Sequence, residues 1–289
     1  MRGGRTQGKY RLRLKNMEIK KVWAVYFSPT GGTKTGVTTV AQSVAKGLGV
    51  AYEGYDVTLP NAREATLTFG ATDLVVLGTP VIAGRVPNLL LPYLNSKLVG
   101  GGAYAVPMVS FGNRNYDDAL IELRNIAEEV GFRTIGGGAF VSQHSFSTVL
   151  AAGRPDDADK EKMLAFGAQL VKKIQSDWSY TAPAFVKGHD PIRPYFKPEG
   201  GHGEHIDIRK VKPITTEACC GCGICVAVCP LGSISAEDPT KTVGICMKCC
   251  ACVKKCPTGA KQFSDAGFLF HKVDLEETYA RRAEADYFI

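Results

Sequence analysis

Short apolar runs rich in β-branched and aromatic residues alternate with amphipathic segments in the first part of the chain. The runs at 22–27, 50–59, 73–77, 103–110 and 133–141 predict five buried strands. The segments at 38–48, 88–98, 117–130 and 157–174 predict helices. Because strands that alternate with helices form right-handed βαβ units, the pattern favours an α/β fold with a doubly wound, five-stranded parallel sheet.

The pattern changes after this region. Residues 178–213 lack periodicity and contain five prolines, which predicts a connector across the surface. Residues 263–289 are charged with scattered aromatics, and they form either a docked helix or a loose end. We therefore divide the chain into a basic tail (1–19), a sheet domain (20–177), the connector (178–213), a small cysteine-rich α+β domain (214–262) and a C-terminal tail (263–289).

Basic charge is concentrated at the start of the chain. The sequence has 35 basic and 28 acidic residues, and residues 1–16 hold six of the basic residues and no acid. The rest of the chain is nearly neutral, so no surface for nucleic acid is expected beyond the tail. The tail itself is predicted to be a disordered arm, or the product of translation that begins upstream of Met17.

Membrane and export signals are not expected in this sequence. No run of 18 or more apolar residues is present, and no apolar run follows the basic tail. We predict a cytoplasmic protein.

All ten cysteines lie between positions 219 and 256, and eight of them form one pattern that occurs twice. Each run reads C-x2-C-x2-C-x3-C-P, at 219–230 and at 246–257, which is the bacterial ferredoxin pattern. Three close cysteines bind three irons of a 4Fe–4S cube, and sterics prevent the same loop from reaching the fourth iron. The last cysteine of the other run supplies that ligand. One predicted cluster is bound by Cys219, Cys222, Cys225 and Cys256, and the other by Cys246, Cys249, Cys252 and Cys229.

Zinc is the main alternative for such cysteines. Paired C-x2-C units bind zinc, but zinc takes closed sets of four ligands. A third cysteine at the same spacing, followed by Cys-Pro in both runs, has no zinc rationale and favours iron–sulfur clusters. Cys220 and Cys250 fall outside the pattern and are predicted to be packed side chains without chemistry.

A glycine- and hydroxyl-rich loop joins the first predicted strand to the first helix. Two glycines allow close backbone approach, and the helix N-terminus presents N–H groups and a positive dipole, so the loop predicts a phosphate site. It contains neither the Gly-Lys-Ser/Thr ending of a Walker loop nor a dinucleotide fingerprint. Neutral donors without lysine suit a phosphate monoester. The candidate binding residues here are Ser28, Thr30, Gly31, Gly32 and Thr33.

The rest of such a pocket is expected at the carboxyl ends of neighbouring strands. The loops 78–87 and 110–115 stand there, and Phe111 or Tyr116 is a candidate to stack on a flavin ring. The alternative is that both are ordinary turns. The candidate residues are Thr79, Pro80, Val81, Ile82, Gly84, Phe111, Gly112 and Asn113.

The phosphate-type loop and the cysteine runs resemble motifs of known protein families. Residues 28–33 resemble the FMN phosphate loop of the flavodoxin superfamily. Residues 20–289 resemble the flavodoxin-domain ferredoxin family in the stretches 25–33, 78–80, 83–87, 111–120, 206–213, 248–257 and 268–276. The resemblance implies a flavodoxin-like domain with FMN beside two 4Fe–4S clusters, in electron transfer of the kind found in anaerobes. The family carries an aromatic residue where this chain has Ile82.

Two functions remain open at this point. The first is an electron carrier that serves redox partner proteins and needs no catalytic side chain. The second is an oxidoreductase in which the clusters feed FMN and a bound small molecule is reduced. Ser142, His144 and Ser145, which follow the fifth predicted strand, are the candidates to line that pocket.

Overall fold

The computed structural model describes residues 18–200 and 203–289. The strands are β1 (Lys21–Tyr26), β2 (Ala51–Asp56), β3 (Leu67–Thr68), β4 (Asp73–Pro80), β5 (Leu98–Val99), β6 (Tyr104–Phe111), β7 (Arg133–Thr134), β8 (Gly137–Val141), β9 (Ile214–Thr215), β10 (Lys261–Gln262) and β11 (Asp286–Phe288). The helices are α1 (Gly32–Leu48), α2 (Leu91–Ser96), α3 (Ala119–Glu129), α4 (Asp157–Gln175), α5 (Ile224–Ala227), α6 (Ala251–Lys254) and α7 (Ala266–Thr278).

The main sheet has the order β11-β8-β6-β4-β1-β2, and β7 pairs with β6. The pairs β1–β2, β1–β4, β4–β6 and β6–β8 are all parallel. Counting only these parallel strands in chain order gives 2-1-3-4-5, which is the order of the flavodoxin-like doubly wound fold. The predicted α/β class with a mostly parallel sheet is therefore confirmed.

Two apolar layers enclose this sheet. On one face, Val37 and Val40 of α1 and Phe166 and Leu170 of α4 pack in one buried cluster with alternate residues of the strands. On the other face, α2 and α3 pack in a second cluster that includes Leu94 and Leu120. Strands covered on both faces are apolar along their length, which explains the continuous hydrophobic runs in the sequence.

The prediction of a five-stranded sheet was incomplete, because the main sheet has seven strands among the described residues. The fifth predicted strand is divided into β7 and β8, and β11 adds to the edge of β8 in the antiparallel direction, with Tyr287 opposite Gly138. Of the two alternatives for 263–289, the structure agrees with the docked helix and not with the loose end, since the segment forms α7 and then returns to the sheet. This return covers an edge strand that would otherwise expose unpaired backbone groups.

Most other element boundaries shift by a few residues. Helix α1 begins at Gly32 rather than at residue 38, and β2 is shorter than the predicted 50–59. Of the predicted tail over 1–19, residues 1–17 lie outside the residues that the structure describes. Ile19, however, is buried in the α1–α4 cluster, so the ordered chain begins before residue 20.

A buried carboxylate, Asp118, makes several of the hydrogen bonds that hold the connector to the sheet domain. Asp118 accepts hydrogen bonds from the backbone N–H groups of His189 and Arg193 and from the guanidinium of Arg193, at 2.9–3.1 Å. Burial alone would raise the pKa of Asp118, but these donors hold it well below its usual range. The segment predicted as a plain surface crossing is therefore fixed at a defined point.

Candidate functional site

The eight patterned cysteines surround two separate cavities. One has a volume of about 310 Å³ and is lined by Cys219, Cys222, Cys225 and Cys256. The other, of about 390 Å³, is lined by Cys229, Cys246, Cys249 and Cys252. We call the first the outer cavity, because Cys222 is exposed, and the second the inner cavity, because buried Met247 and Cys250 line it. Each cavity brings together three cysteines of one run and the last cysteine of the other.

The two cysteine loops share one backbone course. Gly221 and Gly223 have positive φ angles in the first loop, and Lys248 and Cys250 have them at the equivalent positions in the second. Each loop then enters a one-turn helix, α5 or α6. Such left-handed turns direct successive N–H groups to one side, where they can meet sulfur.

Some of these N–H groups already reach sulfur. The backbone N of Ser233 donates to Cys229 Sγ at 3.3 Å, and that of Lys248 donates to Cys246 Sγ at 3.4 Å. Donors to thiolate stabilise its negative charge, and in cluster sites they help to set the potential.

Burial gives the inner thiols little tendency to ionise on their own. It raises the pKa of both Cys249 and Cys252 to about 12. At the outer cavity, burial also raises the pKa of Cys256, but hydrogen bonds from Lys261 N–H and Thr258 outweigh it and bring the pKa down to about 7. Cys249 and Cys252 would therefore need the positive charge of a metal centre to release their protons.

Within residues 18–200 and 203–289, no three His, Cys, Asp or Glu side chains converge to hold a single metal ion. A cube binds each cysteine at a different iron, so the observation that bears on clusters is the pair of cavities. Cys220 is exposed and Cys250 is buried, and both stand at the cavity edges without belonging to the repeated ligand positions.

The loop predicted to bind phosphate lies at the carboxyl end of β1 and leads into α1. Gly31 is the residue before α1 and has a φ of 98°, which favours glycine. The hydroxyl of Ser28 accepts from Lys34 N at 2.9 Å, and Thr33 Oγ1 pairs with Ser110 Oγ at 2.5 Å. Thr30 is the exposed hydroxyl. Gly31 has no side chain to cap α1, and Ser28 takes only the N–H of Lys34, so among the described residues the N–H groups of Gly32 and Thr33 are available to a phosphate.

The loops after β4 and β6 lie beside the phosphate loop, as parallel strands require. Thr79 is buried, and its hydroxyl has no hydrogen-bond partner among the described residues. An orphaned buried hydroxyl at the end of this strand fits a site where a ligand supplies the partner. Pro80, Val81 and Ile82 are half-buried and offer an apolar surface without an aromatic ring.

The two aromatic side chains that were candidates to stack on a flavin ring are buried in the structure. Phe111 and Tyr116 are each only 5% exposed and pack on one another, so neither ring offers a face for stacking unless its neighbours move. The Asn113 side chain is also committed, because its Nδ2 donates to the carbonyls of Tyr279 and Arg281 and its Oδ1 accepts from Ala283 N. Asn113 thus holds the C-terminal segment.

His144 lies against the same loop. A Cβ on Gly112 would stand 2.4 Å from the His144 ring, so the loop requires glycine there for the histidine to fit. His144 Nδ1 accepts from Phe146 N at 3.1 Å. Burial, and then the charge of Lys254, lower the pKa of His144 to about 4, so the imidazole is neutral near pH 7. Gly84 similarly makes room for Asp117 of the neighbouring loop.

The sequence prediction missed Met247 and Thr58. Thr58 Oγ1 accepts from Ser28 N at 2.8 Å and so positions the phosphate loop. Nothing in the local pattern indicates this contact, because β2 and the loop meet only in the sheet. Met247 had an available signal, since it replaces Cys220 at the same position of the repeat.

Comparisons with known proteins give the following similarities. A flavodoxin from the domain Archaea is 14% identical, with a TM-score of 0.40, over 54% of this chain and 99% of the other. The flavodoxin of Streptococcus pneumonia TIGR4 is 18% identical, with a TM-score of 0.37, over 53% and 99%. The rubredoxin oxygen:oxidoreductase of the anaerobe Desulfovibrio gigas is 14% identical, with a TM-score of 0.36, over 55% and 38%.

No family model matches the chain, and no curated protein matches it. The structural similarities are all below a TM-score of 0.5 and cover about half of the chain. The fold assignment therefore depends on the strand order of the chain itself. In the part of the chain that the structure describes, no helix combines the length and apolar character that a membrane crossing needs.

Proposed function

We propose that this chain is an iron–sulfur flavoprotein that transfers electrons. The observation that carries the proposal is the crossed arrangement of cysteines, three from one run and one from the other, around each of two cavities. That arrangement is what two interlocked 4Fe–4S clusters require. We assign the outer cavity to the cluster bound by Cys219, Cys222, Cys225 and Cys256, and the inner cavity to the cluster bound by Cys229, Cys246, Cys249 and Cys252.

We propose FMN as the third cofactor. Three features support it: the first two N–H groups of α1, the exposed hydroxyl of Thr30 and the orphaned hydroxyl of Thr79. Ile82 replaces an aromatic contact with an apolar one, so phosphate binding supplies a larger share of the affinity. When bound, FMN would connect one-electron and two-electron chemistry.

We propose that residues 20–177 form the flavin domain and residues 214–262 form the cluster domain. The connector at 178–213 reaches from one to the other, and Asp118 fixes its course. Residues 263–289 return to the sheet through α7 and β11. The role of the protein parts is to hold cofactors, exclude water and set local charge. Redox partner proteins are the expected donors and acceptors.

Anaerobic reconstitution tests the proposal directly. The full chain is loaded with iron, sulfide and FMN, and the iron, acid-labile sulfide and flavin per chain are measured with the EPR spectrum of the reduced protein. We expect about eight irons, as two four-iron clusters, and one FMN. A colourless preparation, or zinc in place of iron, contradicts the proposal.

A neighbouring cysteine outside the repeated pattern provides a matched control for the ligand assignment. Cys222→Ala removes a proposed ligand, so the variant should retain about four irons. Cys220→Ala changes an exposed cysteine two positions earlier and should retain about eight. Loss of iron in Cys220→Ala with full loading of Cys222→Ala would show that the ligands are assigned wrongly.

The phosphate loop has its own test. FMN should bind more tightly than riboflavin, and Thr30→Ala should reduce that difference in binding free energy by about 1.5 kcal/mol, the lower end for a hydrogen bond to a charged group, because Thr30 is exposed. The measurement is flavin titration by fluorescence. Equal affinities for FMN and riboflavin would show that the phosphate adds no binding free energy, which would contradict a phosphate site in this loop.

A flavin-dependent oxidoreductase is the second candidate function. It is favoured by one observation, the neutral imidazole of His144 against Gly112 in the predicted flavin loop. Under this hypothesis the neutral His144, whose Nδ1 accepts from Phe146 N, would donate a hydrogen bond from Nε2 to a bound small molecule, and water would supply the proton. Turnover that is lost in His144→Ala, with eight irons and FMN retained, would favour it. Reduction of protein acceptors alone favours the carrier.

A further inference from the structure

The two cysteine runs have equivalent positions, 27 residues apart, with different surroundings. Met247 corresponds to Cys220, Lys254 to Ala227, and Pro257 to Pro230. In each pair, the residue at the inner cavity is buried or half-buried and the residue at the outer cavity is exposed. These pairs show where each cavity lies in the molecule.

The inner cavity lies against the sheet domain. Met247 is 8% exposed and belongs to the same hydrophobic cluster as Phe27 and Phe111, and Cys249 packs against that cluster. The cluster also takes in Val81 and Ile82, from the loop proposed to face the flavin ring. The inner cysteine loop and the proposed flavin loop therefore share one packed unit.

Polar contacts strengthen the same junction. The Arg63 guanidinium donates to the carbonyl of Pro230, and it also donates to Val57 O at 2.7 Å and Thr58 O at 2.6 Å. Lys254 Nζ donates to His144 O at 2.7 Å. These bonds join both sides of the inner cavity to loops at the carboxyl ends of the strands.

The outer cavity has none of these contacts. Among the described residues, no hydrogen bond joins 217–225 or 256–259 to the sheet domain; their bonds stay within the cysteine-rich region. Cys220, Cys222 and Pro257 are exposed. This side is accessible to another protein.

We propose that the inner cavity holds the cluster next to the flavin site, and that the outer cavity holds the cluster that exchanges electrons with other proteins. Met247 is the positioning residue that fixes the inner loop to the sheet. This inference rests on the proposed function, and it adds an order to the three cofactors.

This order would pass electrons singly. When bound, the cluster held by Cys219, Cys222, Cys225 and Cys256 would exchange one electron at a time with a one-electron carrier protein. The cluster held by Cys229, Cys246, Cys249 and Cys252 would connect it to the flavin, which would need two such electrons, with protons from water, for full reduction.

The test removes one cluster at a time. Cys225→Ala and Cys252→Ala change the third cysteine of each run, and each full-length variant should retain about four irons. The EPR spectrum and midpoint potential of the remaining cluster are measured with and without FMN. We expect FMN to shift both in Cys225→Ala, which keeps the inner cluster, and to leave both unchanged in Cys252→Ala.

The outcomes separate the inference from the proposed function. An FMN-dependent shift in Cys252→Ala equal to or larger than that in Cys225→Ala overturns the order while the cofactors stand. A wild-type chain that binds no iron or no FMN overturns the proposed function and the order with it.

A second pair of variants covers the case in which cluster removal unfolds the domain. Met247→Ala and Cys220→Ala leave all eight ligands in place. Met247→Ala should reduce the FMN-dependent shift of one cluster, and Cys220→Ala should retain it. Equal shifts in the two variants would show that Met247 does not position the inner cluster, and so would contradict the order.

Discussion

The two cysteine loops of this protein have the same ligand spacing and the same backbone turns, yet they lie in different environments. The second loop is packed on the sheet domain through Met247 and Lys254. The first loop is bonded to it only at its end, where Pro230 O accepts from Arg63, and it leaves Cys220 and Cys222 exposed. The residues between the ligands, and not the ligands, make the difference.

This difference indicates how a duplicated motif can serve two tasks. Ligand positions are restricted by the geometry of the cluster, so they are the same in both loops. The intervening positions are free to change, and in the second loop they include the buried Met247 and the Lys254 that bonds to His144 O. The burial of Met247 removes apolar surface from water, which is the main source of stability in such a contact.

The largest expected effect comes from removal of iron from the reconstituted protein by a chelator. Metal binding at such sites supplies folding free energy, so both loops should lose amide-exchange protection. The inner loop, 246–256, should retain part of its protection because Met247 remains packed. Hydrogen exchange with mass spectrometry measures this. Equal loss at 219–229 and 246–256 would mean that the packing difference has no energetic weight.

Met247→Ala should lower the free energy of unfolding by about 2–4 kcal/mol, since truncation of a buried methionine leaves a cavity. Cys220→Ala, at the equivalent exposed position, should change it by less than about 0.5 kcal/mol. Denaturant titration of the loaded chain gives both values. Similar losses in the two variants would abolish the comparison between the loops.

Arg63→Ala should cost about 1–2 kcal/mol, because three carbonyls lose a charged donor and one of them belongs to Pro230 in the cysteine region. Lys255→Ala removes an exposed cation beside the outer cavity and serves as the control. Thermal unfolding compares them. A larger loss in Lys255→Ala would indicate that the outer side is also docked.

The smallest expected effect concerns pH and the connector. The pKa of Asp118 is lowered in the folded protein, so its ionised form adds stability at neutral pH that is lost as pH falls below about 4. The free energy gap between the wild type and Asp118→Asn should therefore narrow on acidification. Denaturant titrations of both proteins at several pH values measure it. A gap that widens would reverse the sign of the argument.

The sheet domain was accessible to sequence reasoning to a large extent. Parallel strands such as β4 and β6 are buried on both faces, so each appears as a continuous apolar run that local patterns detect. The strand β11 was not predicted, because its three residues have no distinctive pattern and pair only after α7 carries the chain back to β8. Strands β7 and β8 were predicted as one strand over 133–141 for a similar reason.

Within the candidate site, the sequence predicts two crossed sets of cysteines as cluster ligands, and in the structure each set lines one cavity. The roles of Phe111 and Asn113 could not. Phe111 follows a strand and looks available, yet its ring turns into the core. Asn113 looks like a ligand donor, yet residues 279–283 occupy its side chain.

The sequence alone determined the alternation of strands and helices, the phosphate-type loop and the eight repeated cysteines, because each depends on neighbours within a few residues. Tertiary structure decided which cysteine loop is docked on the sheet, what holds the connector and where the chain ends. Those outcomes depend on contacts between residues more than 70 positions apart, such as Asp118 with Arg193, Lys254 with His144 and Arg63 with Pro230. Local periodicity carries no information about such pairs.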